Sequence, residues 1–537
     1  MTLPPGINAR TFADAVKEFE GAVGKPWVFT ADDDVALYKD AYSPWLGEPE
    51  ERVASAAIAP NTTEEVSQVV RTANKFKIPI YPISTGKNLG YGGSSPNLSG
   101  SVVLDLKRMN RVLEVNEANH SALVEPGVSY FDLYRYIQER KLKVWVDVPD
   151  PGWGSPIGNA LDHGGGYLAS EFRNHFDSHC GMEVVLANGD IVRTGMGAMP
   201  NAKTWQQYKF GAGPWIDGLF SQSNFGIVTK MGFWLMPQPE AYLTGNVLVP
   251  KRTDLAALVE HLNYVEDIGI SNGMPFIGSP IFGGFLQPRD PGVEPFLARP
   301  GGWESAELDR YAAQKGLPFW NCLLKFYGPP KVVQAQWEYC KERFSAIPGA
   351  TFQDGQLIRI PLEPGMEDRV HKPEFGIPSL EMFSIGARSA TNPSPSNGHI
   401  WFSPIIPRTA EAIFEANRVF SKAAVDLGLP ELQFALPSTY WKRAFIFIIG
   451  FPISRDQASN KRNRESFKKL VKLAAEHGWG EYRTAPAYQD DVMATYSFNN
   501  NALLRFHETI KDAVDPNGIL SAGRYGIWPR NMRGRKA

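Results

Sequence analysis

Pro82-Ile-Ser-Thr-Gly-Lys-Asn-Leu-Gly-Tyr-Gly-Gly93 decides how this chain is read. It follows Ile78-Pro-Ile-Tyr81, a short apolar stretch that reads as a buried strand. Gly86, Gly90, Gly92 and Gly93 surround one lysine, one asparagine and one tyrosine. Glycine takes positive φ and lets backbone approach a ligand closely. Successive N–H groups in such a loop make an anion-binding concavity. The run reads as a cradle for the pyrophosphate of a dinucleotide, with a plain glycine-rich surface turn as the alternative. It is not a P-loop, because no Gly-Lys-Ser/Thr closes the required spacing, and it does not meet G-x-G-x-x-G after the strand. Upstream, Thr62-Thr-Glu-Glu65 has the capping-box pattern and opens a helix carrying Val66, Val69, Val70, Ala73 and Phe76 on its inner face. Helix, strand and loop form an α/β unit with its ligand at the strand's C-terminal end.

Outward from this unit, residues 11–23 form an amphipathic helix, with Phe12, Val16, Phe19 and Val23 on one face. Strands are expected at Val102–Asp105, Val112–Val115 and Ala122–Glu125, and Ser129 caps a helix to about Lys141. Residues 147–235 are dense in glycine and poor in helical pattern, as suits backbone that wraps a cofactor. Pro237-Gln-Pro-Glu240 marks a boundary. Beyond it helices and strands alternate to residue 480. Leu255, Leu258, Val259, Leu262 and Val265 follow Thr253 at helical spacing, and further helices run from Ala410 to Leu427 and Asn460 to His477. A last helix is expected over Asn500 to Val514, and the basic end Arg530 to Lys536 should fray.

At 537 residues the chain exceeds a single ordinary core, so two domains are expected. A net charge of -2 gives no field to draw nucleic acid or an anionic membrane. No apolar run reaches the roughly 20 residues of a membrane helix, and the N-terminus lacks the pattern of a secretory signal. Cys180, Cys322 and Cys340 fit reduced thiols in a cytoplasm. His175 and His179 lie four apart with no third ligand, so no metal site is expected.

Taken with Asp147-Val-Pro-Asp-Pro-Gly-Trp-Gly-Ser155, Gly158-Asn-Ala-Leu-Asp162, Gly181–Asp190, Arg193–Gly197, Gly398-His-Ile-Trp-Phe-Ser-Pro404, Glu481-Tyr-Arg-Thr484, Asp490–Ala494 and Asp515-Pro-Asn-Gly518, the loop resembles the vanillyl-alcohol oxidase / p-cresol methylhydroxylase flavoprotein family, and within it the bacterial eugenol oxidases. The resemblance covers nearly the whole chain. It implies an α+β fold: a PCMH-type FAD-binding domain of two subdomains over residues 1–240, and an α+β cap, an antiparallel sheet flanked by helices, over 241–483. Residues 484–537 return to the FAD-binding domain. It places the cofactor FAD against Ser84, Thr85, Gly86, Lys87, Asn88, Leu89, Gly90, Gly92, Ser155, Gly158, Asn159, Gly165, Gly166, Ile227 and Arg524, with His399 as covalent attachment point. Trp401, Ser403 and Gln433 would line the substrate pocket. Two stretches depart from the family pattern, Leu168–His175 and Thr439-Tyr-Trp-Lys-Arg443, which leaves room for a bulkier substrate such as a lignan-type phenol.

The chemistry implied is oxidation of a para-substituted phenol: a 4-hydroxybenzylic alcohol, or a 4-alkyl- or 4-allylphenol. Hydride leaves the benzylic carbon toward flavin N5, and the developing cation is stable only if the ring is a phenolate that becomes a quinone methide. A free phenol ionises near pH 10, so the site must favour the anion. A guanidinium stays charged and donates in a fork, and tyrosine hydroxyls can donate to the phenolate oxygen. The family match maps these tasks onto Arg483, Tyr91 and Tyr482. Read alone, Tyr91 is a loop aromatic, and Tyr482-Arg483 a strand edge with Arg483 paired to Glu481. Asp150 matches an aspartate of the oxidase branch that serves as base toward water, while Asp147, two residues before Pro149, is left as a turn-former. The expected partners are a small phenol and O2 giving H2O2, or else an electron-accepting protein such as cytochrome c, in a cytoplasmic homodimer or higher homo-oligomer. Oxidation of sugars or hydroxy acids on the same fold, or flavin binding without catalysis, are the rival readings.

Overall fold

The computed structural model describes residues 2–88, 90–283, 289–299, 301–381, 398–429, 439–441, 443–454 and 456–534. Its first layer is a four-stranded sheet in the order Val28–Phe29, Ala56–Ile58, Val102–Asp105, Ile80–Ile83. The last three strands are parallel. The helix Ala9–Val23 packs Phe12, Ala15, Phe19 and Val23 inward. The helix Thr63–Phe76 packs Val66, Val69, Val70 and Ala73 into the same core. Its N-terminus follows half of the expected capping box. Thr62 Oγ1 accepts the Glu65 N–H, but the Glu65 carboxylate reaches past Thr62 to the Asn61 N–H at 2.7 Å. The strand that feeds the glycine loop starts at Ile80, two residues later than expected, because Pro79 cannot donate to a ladder. Its outer edge is covered by chain from the far end of the molecule: Ile80 donates to the Ile519 carbonyl and accepts from the Ser521 N–H.

The second layer is a five-stranded antiparallel sheet in the order Val112–Asn116, Ser121–Val124, Ile227–Trp234, His179–Val185, Ile191–Arg193. The helix Tyr130–Glu139, opened by a full Ser129/Asp132 capping box, covers it. The glycine-dense region holds one six-residue helix, Pro156–Leu161, capped by Ser155.

The third layer is antiparallel. Strands Phe276–Gly278, Trp320–Gly328, Ala241–Val249 and Thr351–Asp354 pair in that order, and Ile358–Arg359 also pairs with the third of them. The helices Leu255–Asp267, Pro330–Phe344, Ala410–Leu427 and Gln457–Glu476 pack with this sheet into one large core. A separate strand pair, Gly398–Phe402 with Ile449–Ile453, sets Trp401 opposite Gly450. Ala485, Tyr488 and Val492 still belong to this core, whereas Ile519, Leu520 and Ile527 pack in the first two layers.

The closing helix is Phe498–Val514, but Asn499, Asn500 and Asn501 are left-handed, so regular helix begins after them. The basic end does not fray as far as it is described. Met532 is buried, and Arg533 pairs with Asp512 at 2.9 Å and Glu508 at 3.0 Å. The three cysteines are buried free thiols. Among the described residues no helix is long and apolar enough to cross a membrane, and no cluster of three or more metal-ligating side chains forms.

Candidate active site

The glycine loop, the turn after Val148 and the helix Pro156–Leu161 face each other across a cleft with roughly 1350 Å³ of empty space, part of it open to solvent. Ser84, Thr85, Gly86, Lys87, Asn88, Gly92, Ser155, Gly158, Asn159, Ile227 and Arg524 line it, as do Tyr91, Asp150, Trp401 and Arg483. Leu89 and Gln433 lie outside the described residues. Gly90, Tyr482, His399 and Ser403 stand behind the lining, in contact with it.

Gly90 shows why the loop needs glycine. Its φ is +86°, and a Cβ there would lie 2.9 Å from His399 Nε2 and closer still to the Trp401 indole. The Gly90 carbonyl accepts the Trp401 N–H at 3.1 Å. The strand Gly398–Phe402 is thereby fixed against the loop, with His399 Nε2 beside Gly90. His399 is itself buried and packed between Tyr42 and Trp401, with ring centroids at 5.1 and 4.2 Å.

Gly165 and Gly166 are not among the lining residues. A Cβ on Gly166 would run into the Asp147 carboxylate. Asp147 is not a turn-former either. Its Oδ1 accepts the N–H groups of Tyr167 and Leu168, and its Oδ2 lies 2.9 Å from His175 Nε2. His175 Nδ1 in turn meets the Tyr130 hydroxyl at 3.0 Å and Asn159 Oδ1 at 3.3 Å. This buried set braces Asn159 at the cleft wall, and the small residues around it exist for close packing. The divergent loop 168–175 is driven into the cap by the same logic. Arg173 and Glu266 pair at 2.6 Å with side chains 3% and 0% exposed, and Ser170 N–H donates to the Asn272 carbonyl.

Asp162 is a residue that sequence reasoning missed. Asn88 Nδ2 donates to it at 2.7 Å, Arg524 Nη2 at 2.9 Å and the Tyr525 hydroxyl at 2.8 Å. It fixes one end of the glycine loop and the C-terminal segment at once. Its place at the end of the quoted Gly158–Asp162 stretch was the only signal.

At the other end, the Arg483 guanidinium carbon lies over the Tyr91 ring, 3.9 Å from its centroid, and 5.3 Å from that of Tyr482. The two phenol rings meet edge to face at 6.2 Å. Arg483 does not pair with Glu481. Its nearest carboxylate is Asp162 at 3.9 Å, and its Nε has no hydrogen-bond partner among the described residues. Burial opposes its charge, but Tyr482, Tyr91 and Asp162 outweigh burial, so the guanidinium stays cationic. Burial raises both tyrosines, and Arg483 pulls them back. Both therefore keep a proton to donate. Asp150 is pushed by burial up to about 6, with the Tyr167 phenol and His371 pulling down. Neither of its oxygens has a well-formed hydrogen bond among the described residues.

The hydroxyls of Ser84 and Thr85, the amides of Asn88 and Asn159, and the cations Lys87 and Arg524 are the donors that a pyrophosphate and a sugar-alcohol chain require. The FAD binding domain family matches residues 54–195, which hold the glycine loop and Asp162. The 4-cresol dehydrogenase [hydroxylating] flavoprotein subunit of Pseudomonas putida is 32% identical over 98% of this chain and 97% of its own. The structure of 4-ethylphenol oxidase from Gulosibacter chungangensis in complex with isoeugenol superposes with a TM-score of 0.80 at 34% identity, covering 99% of this chain and 100% of that one. That of p-cresol methylhydroxylase with substrate bound gives 0.81 at 30% identity, over 98% and 99%. With likeness of this extent in sequence and in structure, the chain belongs to the vanillyl-alcohol oxidase / p-cresol methylhydroxylase family and is an FAD-binding, flavin-dependent oxidoreductase.

Proposed function

We propose that the protein oxidises para-substituted phenols at the benzylic or allylic carbon and passes the electrons to O2. The observation that carries this reading is the cation of Arg483, its side chain only 13% exposed, flanked by two tyrosines that keep their protons. Such a set has little use for an uncharged sugar and fits a phenolate oxygen; a hydroxy acid's carboxylate would also suit the cation, and the whole-length likeness to phenol-oxidising flavoproteins favours the phenol. Bound FAD supplies the hydride acceptor and hands the electrons on to oxygen, giving H2O2. Tyr91, Tyr482 and Arg483 hold the phenol as its anion, so that loss of hydride yields a neutral quinone methide on the substrate. Asp150, ionised above about pH 6, takes the proton of the water that adds to that carbon. His399, facing Gly90, is the point of covalent attachment for the cofactor. The reading includes the division into 1–240, 241–483 and 484–537, a cytoplasmic location and a homo-oligomer. Size of the substrate is set by Trp401, Ser403, Gln433 and the divergent segments, with lignan-type phenols as the bulky case. A second reading, electron transfer to a cytochrome c-like protein, is favoured by the whole-length likeness to a 4-cresol dehydrogenase described as a flavoprotein subunit.

Two measurements test this. In acid precipitation the yellow colour should stay in the protein pellet and pass to the supernatant for His399→Ala. Under anaerobic conditions a 4-alkylphenol should bleach the flavin, and admitted air should restore it with one H2O2 per turnover. Bleaching without reoxidation in air would favour the cytochrome reading, and no bleaching by any phenol would overturn both.

A further inference from the structure

Behind the tyrosine pair lies a second layer of contacts. Glu481 bridges to Pro404, and the Tyr482 N–H donates to the Ser403 carbonyl at 3.0 Å. The Ser403 N–H donates to Glu481 Oε2 at 2.9 Å. The Ser403 hydroxyl lies 2.7 Å from the Tyr91 hydroxyl. Three sides of one fully buried serine are thus fixed by Glu481, Tyr482 and Tyr91. The second Glu481 oxygen, Oε1, is buried without a hydrogen-bond partner, and no cation lies within ion-pair distance of the carboxyl among the described residues. Arg483, two residues on in the chain, is turned toward Tyr91 and Asp162. An ionised carboxylate left half-satisfied in such a place is strongly disfavoured.

We infer that Glu481 is a positioning residue of the phenol site: as a neutral carboxylic acid it locks Ser403, whose hydroxyl donates to Tyr91 and so leaves the Tyr91 proton for the substrate oxygen. The inference rests on the phenol-oxidising reading above. Donation from Ser403 also makes Tyr91 the stronger donor, since hydrogen bonds in series polarise one another. The other ionisable groups around Glu481 are Tyr91, Tyr482, Arg483 and Tyr496. Burial pushes Glu481 up to about 8, against the pull of the Ser403 N–H. Its charge, once formed, opposes negative charge at Tyr91 and Tyr496. A phenolate delivered beside Tyr91 meets the same opposition. Phenol binding should therefore require protonated Glu481 and weaken as pH rises through about 8.

The test is the affinity of the holoenzyme for 4-fluorophenol, which has no benzylic carbon to oxidise, read from the visible difference spectrum of the flavin between pH 6 and 9.5. Glu481→Gln keeps the shape of the neutral acid and removes its titration. The ratio of wild-type to variant Kd cancels the ionisation of the ligand. It should be flat below pH 7 and rise about ten-fold by pH 9, as one required proton dictates. Ser403→Ala should weaken binding several-fold at every pH while keeping the wild-type pH dependence. A wild-type/Gln ratio that stays constant to pH 9.5, or a Ser403→Ala variant that binds as the wild type does, overturns the inference. If 4-fluorophenol binds and Arg483→Ala abolishes that binding, the phenol site stands whatever Glu481 does. If no phenol perturbs the flavin in any form, the reading of the site itself falls.

Discussion

Arg483 and Asp150 divide the electrostatic work between two residues with opposite needs. Arg483 must stay charged in a largely buried place, and its geometry over Tyr91, 3.9 Å from the ring centroid, leaves most of the guanidinium fork for a ligand. A lysine there would keep the charge and lose the planar fork and the stacking. Arg483→Lys should therefore lower kcat/KM for a 4-alkylphenol by roughly 10²–10³, the cost of losing one well-placed donor set for a developing charge. Steady-state kinetics checks this, and a change within a factor of three would remove Arg483 from the phenolate site. Asp150 must change its charge during turnover, and burial has brought it up to about 6. A base works only when ionised, so below about pH 6 the hydration rate should fall ten-fold per pH unit, and above it should level off. Asp150→Asn should abolish that limb and cost about 10² in rate. A limb that survives the substitution belongs to another group. The roles proposed for Tyr91, Tyr482, Arg483 and Asp150 come from the family match, since read alone Tyr91 is a loop aromatic and Tyr482-Arg483 a strand edge. Asp162 and Glu481 were not legible, because their meaning lies in partners 362 and 78 positions away.

Elements matter here mainly where they are pinned to one another. The glycine loop and the strand Gly398–Phe402 come from opposite ends of the sequence and meet at Gly90. Gly90→Ala would force a Cβ into the His399 and Trp401 rings at a left-handed φ. Flavin occupancy of the purified variant, read from absorbance, should fall well below that of the wild type, and full occupancy would show that the loop relaxes freely. The loop 168–175 is pinned by the Arg173–Glu266 pair. Burial raises Glu266 despite Arg173, so the pair contributes less than its geometry suggests. Arg173→Met should still cost about 3 kcal/mol, the lower end for breaking a buried pair, since Glu266 can take up a proton instead. Thermal unfolding would show a Tm lower by several degrees. The sequence marked this loop as unusual, but not where it goes. Its departure from the family pattern suggested room for a bulkier substrate, and only the partner Glu266, on another element, explains a buried arginine.

Across the whole molecule the layers hold together through a seam that no motif announced. Trp145, Leu168, Ala169 and Met236 from the N-terminal layers pack against Tyr242, Tyr327 and Phe375 of the third. The family resemblance implied the layers themselves, while helical periodicity named the helices that cover them. It could not name the seam, whose members come singly from loops and strand ends. The seam has a charged centre. Lys325, 1% exposed in its side chain, donates to Glu374 at 2.6 Å, with His371 at 3.1 Å and the Tyr242 hydroxyl on the other oxygen. Burial alone would raise Glu374, but Lys325 and His371 outweigh it and hold the carboxyl down at about 2. A carboxyl depressed in the fold stabilises it above the ordinary value of 4.5 and loses that contribution as pH falls toward 2. Lys325→Met removes the cation, so Glu374 should become neutral and its share of the acid dependence vanish. The wild type should lose Tm steeply between pH 4.5 and 2.5, while the variant, less stable at pH 7, should change little over that range, so the two curves converge. Parallel curves would mean that Glu374 does not titrate with the fold and that the seam is held by its aromatic residues alone.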